Sequence, residues 1–580
     1  MSTQDQVDAD EDSLALEVRA DQLPVDVIET NTSIDGPART ILNELLVHAA
    51  KLIVGPRGCG KTHLMRFAWV KSANDVSQPL VVYLSFNKYL HLEPLLRTKS
   101  NALDIFHGWI LSLCYLGLYE AIEEHLKRET PKEVDDLWVE YLKEDLTAIV
   151  ARLERGGALQ TDHQKLFDSL SLAGLKQAID RIATALHRTR TVVLLDDAAL
   201  TLAPEYLPNF FDFFRAIKSS RISPKASVYP GTTEYGPRFH VAHEADEVPA
   251  WISVEHPNYS LLMESIGTKR MKEYEVVPQD IREVFKYAAF GIPRAYLTLL
   301  RDFAKSAREG TNQSRFNTTI EKFMRNKEAE YVSLIQKAPK LGTLVTTGQV
   351  LFNKMCAELV EENNKLAQTG EKQLLIGVQE STERNAYVER MFSLLVEAGL
   401  LFGFATPVSH GKARTYERFI PHLGALIRDR AFSDSSRGFS PSKIVEGIRL
   451  PSTKHPLRRS TSTLLGVDVI SHLKLDLPPC QNCQAARISE SAKHCHNCGS
   501  KLTDASAFES CMNIRLSSIP TLTVWQRRKL YDEFSDVSTV GDFMSLRDPG
   551  TELRRIYRVG PVRATQIHQS IETYVDEFLS

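Results

Sequence analysis

Residues 55–62, GPRGCGKT, combine glycines, a lysine and a threonine at a spacing suited to holding a chain of phosphates. The run fits G-x4-G-K-[ST], and it has the required context: an apolar stretch at 51–55 before it and a helical pattern at 61–71 after it. Gly55, Gly58 and Gly60 let the backbone turn so that successive N–H groups, with Pro56, Arg57 and Cys59 between them, face a β-phosphate at a helix N-terminus. Lys61 is then expected to reach the β- and γ-phosphates, and Thr62 to offer its hydroxyl to Mg²⁺. Such a site needs a second acidic group at the end of another buried strand. TVVLLDDA supplies it: Asp196 for magnesium, and Asp197 to polarise the attacking water. Thr232 and Thr233 follow a further apolar strand, where a hydroxyl meets a γ-phosphate, and Arg294 opens a helix from which its guanidinium closes onto the nucleotide. Each has a plainer reading, the Asp pair as a helix cap, the Thr pair as a turn and GIPR as a helix start.

A second constellation lies near the C-terminus. Cys480, Cys483, Cys495 and Cys498 form C-x2-C-x11-C-x2-C, the ligand count and paired spacing of tetrahedral thiolate zinc. With four thiolates and no open position, the expected site is structural. His494 and His496 are adjacent alternative ligands.

Elements must hold these groups in place. At 580 residues the chain exceeds one core, and its 43% hydrophobic and 25% charged composition is ordinary for globular domains. Strand signals at 51–55, 81–86, 191–195 and 226–229 alternate with helical patterns, which predicts an α/β domain with a parallel sheet. The expected order is a flexible acidic leader (1–30, nine acids against Arg19), a P-loop core (31–277) with a helical insertion (101–187), and a helical lid (278–335). A winged helix (336–430), a partly ordered linker (431–478), the zinc ribbon (479–503) and a small helical domain (515–580) follow. No run approaches 18 apolar residues, so no membrane association and a cytoplasmic setting are expected.

The succession GPRGCGKT, LLDDA, GTT and GIPR resembles ATPases of the AAA+ and STAND group, nearest to the origin-recognition type, over about residues 35–430. That resemblance implies Thr232 or Thr233 as sensor one, Arg294 as sensor two, and Arg238 as an arginine finger reaching a neighbour in a homo-oligomer; Arg215 and Arg221 are nearby alternatives. Guanine recognition would call for Asn-Lys-x-Asp, and NKYL at 87–90 lacks the carboxylate, so ATP is the expected nucleotide.

Residues 537–546 and 553–567 resemble a helix-hairpin-helix, with Gly560 at the hairpin opening, Arg558 where the family has its first glycine, and Arg554, Arg555 and Arg563 around it. Such hairpins meet DNA phosphates through backbone N–H groups. The net charge is −3, but from residue 431 onward 19 basic residues face 16 acidic ones, so any DNA contact is expected there. These features together predict an ATP-hydrolysing switch that associates with DNA. The alternative is a signalling or defence scaffold that holds nucleotide without turnover and recruits a protein partner. Asp197, where many active members carry Glu, favours the second.

Overall fold

The computed structural model describes residues 20, 23–86, 92–93, 95–127, 140–154, 157–197, 206–233, 235–236, 238–306, 310–379, 385–409, 414–432, 440–490, 492–502, 507–534, 536–546 and 548–579. The chain forms two compact units, residues 1–331 with 347–472, and residues 332–346 with 473–580.

In the first unit β1 (Lys51–Val54), β2 (Leu80–Ser85), β3 (Thr191–Asp196), β4 (Ile222–Val228) and β5 (Asp246–Pro249) make one sheet. Its order is β2-β3-β4-β1-β5, and every pair is parallel. β3 and β4 are buried along their whole length, as strands covered on both faces must be. This order sets the ends of β1 and β3 on either side of β4, so the loop after β1 and the carboxylates ending β3 open at the same sheet edge.

Helices α1 (Val25–Asn31) and α2 (Pro37–Leu46) precede the sheet, and α3 (Lys61–Asn74) follows β1. The expected leader is shorter than 30 residues. Leu23 and Ile28 are buried in the core with Ala38 and Met65, because VDVIETN puts its apolar residues on one stripe while Asp26 and Glu29 face outward. Residues 1–19 lie outside the described residues.

Between β2 and β3 stand α4 (Ala102–Leu126), α5 (Lys143–Leu153), α6 (Thr161–Ser169) and α7 (Leu172–Ala185). α4 is long and apolar enough to cross a membrane, and 67% of its most apolar stretch is buried, with Trp109, Tyr115 and Leu118 enclosed.

After β5 come α8 (Tyr259–Arg270), α9 (Gln279–Ala288), α10 (Pro293–Lys305), and the long helices α11 (Asn312–Lys337) and α12 (Gly342–Leu366). A second sheet then joins β6 (Ile376–Gln379), β7 (Leu401–Gly403), β8 (Val408–Ser409) and β9 (Thr415–Pro421), with α13 (Ala386–Glu397) between β6 and β7 and α14 (Leu423–Arg428) after β9. The wing tip, 410–413, lies outside the described residues. The stretch read as a linker adds α15 (Pro441–Arg449) and β10 (Leu457–Arg459), which extends this sheet in parallel with β6.

The second unit contains the cysteine segment and α16 (Val524–Glu533), α17 (Val540–Met544), α18 (Pro549–Leu553) and α19 (Pro561–Leu579). The short helices start where side-chain caps satisfy free N–H groups: Thr523 with Gln526, Thr539 with Asp542, and Asp548 with Thr551.

Candidate functional site

Residues 55–60 form an open turn between β1 and α3. Gly58 and Gly60 have φ of 83° and 100°, and a side chain on Gly60 would meet nothing within 4 Å, so the mouth of the turn is clear. Lys61 is folded inward: its Nζ donates to the Gly55 carbonyl at 2.6 Å and the Pro56 carbonyl at 3.2 Å, and stands 3.7 Å from the centre of the Tyr229 ring. The ammonium is thus held by two carbonyls and an aromatic face, contacts that phosphate oxygens can replace. Cys59 is buried, and burial raises its thiol pKa, which makes it a packing residue rather than a reactive one.

Across the sheet edge, Asp196 is fully buried and accepts a hydrogen bond from the Tyr83 hydroxyl at 2.9 Å. Burial and then the neighbouring Asp197 charge hold its pKa well above the usual carboxylate range, while the Thr62, Ser227 and Tyr83 hydroxyls pull the other way. Its Oδ1 is buried without a hydrogen-bond partner. An orphaned carboxylate oxygen beside the Thr62 hydroxyl fits a divalent cation, whose charge reverses the cost of ionising Asp196. Asp197 adopts φ 58°, uncommon for a residue with a side chain, and its amide donates to Ser227 Oγ at 2.8 Å. The Tyr229 hydroxyl donates to its carboxylate at 3.4 Å. Tyr229 therefore bridges Lys61 and Asp197, and neither Tyr229 nor Tyr83 stands out in the sequence.

A cavity of about 180 Å³ adjoins the turn. Its lining includes Lys61, Thr62 and the cations Arg270, Arg294 and Arg301, together with the apolar Leu23, Ala38, Ile252, Leu262 and Ile266. A lining that combines cations with apolar side chains beside a glycine turn suits a molecule with a phosphate tail and a flat base. Arg294 reaches this cavity at the start of α10, its Cβ and Cδ lying against Gly58. Gly291 makes that approach possible: at φ 77° its amide donates to the Tyr259 hydroxyl, and any side chain there would overlap the Ile252 carbonyl.

The two threonines face elsewhere. Thr233 Oγ1 accepts the Tyr229 amide at 3.0 Å, and Thr232 Oγ1 donates to Glu397, at the end of α13. Glu397 Oε2 also accepts the amides of Gly231 and Thr232, each at 2.8 Å. A buried carboxylate needs several donors, and this one takes the hydroxyl that sequence spacing assigns to a phosphate. Arg238 is largely exposed, 3.7 Å from Asp212, and is not among the cavity's lining residues. Trp251 links the segment after β5 to the end of α9 and to β7: its Nε1 donates to the Phe290 carbonyl at 2.7 Å, and its ring meets Phe290 at 5.4 Å and Phe402 at 4.9 Å.

Replacing Glu397 with alanine is expected to leave the half-buried Gly231 and Thr232 amides without this acceptor, costing about 0.5–1.5 kcal/mol. Faster amide exchange in residues 386–400 and an altered Trp251 emission check this; Glu397→Gln, which keeps an acceptor, should stay near wild type. Burial raises the Glu397 pKa, against donors at Gly231 and Thr232. A raised carboxyl contributes stability that is full below its unfolded value and fades as pH climbs through its folded value, so the joint loosens with rising pH and Glu397→Gln removes that dependence.

In the second unit the Sγ atoms of Cys480, Cys483, Cys495 and Cys498 all lie within 4.8 Å of one another. Cys480–Cys498 and Cys483–Cys495 are each 3.6 Å apart, near the edge of about 3.8 Å expected for a thiolate tetrahedron with Zn–S near 2.3 Å. Each C-x2-C closes a similar turn: Gln484 N donates to the Cys480 carbonyl and Gly499 N to the Cys495 carbonyl, with φ 58° and 70°. The cluster is compatible with zinc. His494 pairs with Lys501 in an isolated bridge, and the cluster does not include it or His496.

No family model and no curated protein matches the chain. Among solved structures it is similar to the Orc1 protein of Aeropyrum pernix in complex with DNA, with 13% identity and TM-score 0.30, covering 70% of this chain and 94% of that one. It is also similar to a Walker-type ATPase of Pyrococcus abyssi, with 14% identity and TM-score 0.30, covering 68% and 95%. The fold is α/β, a parallel β2-β3-β4-β1-β5 sheet with its glycine turn after β1 and its Asp pair at the end of β3.

Proposed function

We propose that the chain is an ATP-dependent switch that associates with DNA. The observation that carries this reading is the joint placement of Lys61, Thr62 and the orphaned Asp196 oxygen at one sheet edge, beside a cavity lined by cationic and apolar side chains. Residues 55–62 bind the phosphates, Thr62 and Asp196 hold Mg²⁺, and Asp197 orients water for attack at the terminal phosphorus. Mg²⁺ supplies neutralising charge on the phosphates.

In this reading Lys61 leaves the Gly55 and Pro56 carbonyls and the Tyr229 ring when phosphate arrives. Tyr229 then loses its cation, and the loop it shares with Thr232 can shift its hold on Glu397, so the phosphate state reaches α13 and the second sheet. Arg294 closes from α10, and the largely exposed Arg238 leaves its ion pair with Asp212 to serve a neighbouring copy. DNA meets the C-terminal helices.

Single-turnover hydrolysis, with and without duplex DNA, tests the reading. Wild type is expected to hydrolyse ATP, faster with DNA, and Asp197→Asn to lose roughly 10²–10⁴-fold in rate while binding ATP normally. Bound ATP that stays intact in wild type would favour the alternative, a nucleotide-holding scaffold that recruits a protein; the engagement of Asp197 by Ser227 and Tyr229 is the feature that points that way.

A further inference from the structure

The second unit carries an exposed aromatic and cationic strip that the nucleotide site does not use. On α16, Trp525 and Lys529 are one turn apart and share a face. Tyr557 and Arg558 lie in the turn before α19, and Arg563 stands in its first turn. The Arg563 guanidinium lies 5.1 Å from the Trp525 ring; Lys529 and Arg558 lie 5.4 and 5.3 Å from the Tyr557 ring. Arg563 Nη1 donates to the Arg558 carbonyl at 2.9 Å, which ties the two halves together, and the Tyr557 amide is anchored on Glu533 at 2.8 Å.

Rings of this size are normally covered, yet Tyr557 is 67% exposed and Trp525 39%. Charge is segregated around them. Residues 524–533 and 553–563 hold seven basic side chains against Asp532 and Glu533, and both acids are paired, with Arg528 and Lys529. Nearby, Asp542 and Asp548 cap helix starts, and Glu552 pairs with Arg555.

We propose that this strip binds single-stranded DNA, with bases stacked on Trp525 and Tyr557 and phosphates met by Lys529, Arg558 and Arg563. The inference rests on the DNA association proposed above and narrows it. Duplex DNA hides its base faces, whereas an unpaired strand offers both a face for each ring and a charge for each cation. At the hairpin position where close backbone approach favours glycine, Arg558 sits at φ 68°, so side chains rather than the bare backbone front this surface.

Fluorescence anisotropy of the full chain with labelled oligothymidine, and with a duplex of equal length, tests this. Trp525→Ala with Tyr557→Ala should lower oligothymidine affinity at least about tenfold, since stacking is worth about 1–3 kcal/mol per base, and change duplex affinity less than about twofold. The paired Phe variants, which keep a stacking face, should bind oligothymidine like wild type, and this separates stacking from a folding defect. Arg558→Ala with Arg563→Ala should flatten the salt dependence, which the aromatic variants leave unchanged. Unchanged oligothymidine binding by the Ala pair, or displacement of the strand by polyglutamate as readily as by free oligothymidine, overturns the inference while DNA association stands. Binding of neither DNA form by wild type overturns both.

Discussion

Lys61→Ala is expected to weaken binding of MgATP at least about 100-fold and to reduce hydrolysis to background. The lysine points its ammonium into the glycine turn, against the Gly55 and Pro56 carbonyls, and two charge-assisted hydrogen bonds to phosphate at about 1.5–3 kcal/mol each account for that loss. The fold should survive. In the structure Lys61 Nζ donates to carbonyls of its own loop, at Gly55 and Pro56, and α3 is anchored independently by Met65, Ala68 and Val70. Binding by calorimetry, beside a thermal melt that matches wild type, separates a lost ligand contact from a lost domain.

The largest expected effect on folding comes from metal. Removing zinc with a strong chelator, or replacing Cys483 with serine, should unfold residues 479–502. Apart from Cys480, Cys495 and the turns around them, this segment has few buried side chains, and structural zinc in comparable short segments contributes about 10–16 kcal/mol. One zinc released per chain, together with new protease cleavage confined to this segment, is the expected result. ATP binding by the first unit should be unaffected, because the cluster and the glycine turn belong to different compact units.

The parts of this site that were legible in the sequence are those built from neighbours in the chain. The glycine turn, the cysteine pairs and the Asp pair at the end of an apolar strand are each a local pattern whose geometry follows from a few consecutive residues. Glu397 was not legible as a partner of Thr232, since 165 residues separate them and only the packing of α13 against the loop after β4 joins them. Within YVERMFSLLVEAGLL it reads as one helical acid; its sole signal is a charge placed late in an apolar run. Tyr229 is similar, a strand-end aromatic until Lys61 folds over it. Helix α1 was obscured by acid content, because net charge over 30 residues outweighed the short stripe that buries Ile28. β10 was hidden by its side chains: Leu457, Arg458 and Arg459 look like linker, and only pairing with β6 makes them a strand.

The central claim is that the turn at residues 55–62 grips a phosphate chain. Comparing the affinities of AMP, ADP and ATP for the wild-type protein with Mg²⁺ tests it most directly, because the three share base and sugar. ADP and ATP are expected to bind at least about 100-fold more tightly than AMP, since only they place a β-phosphate against Lys61 and the loop amides. Equal affinity for all three would show that the cavity holds the base alone, and would contradict the account.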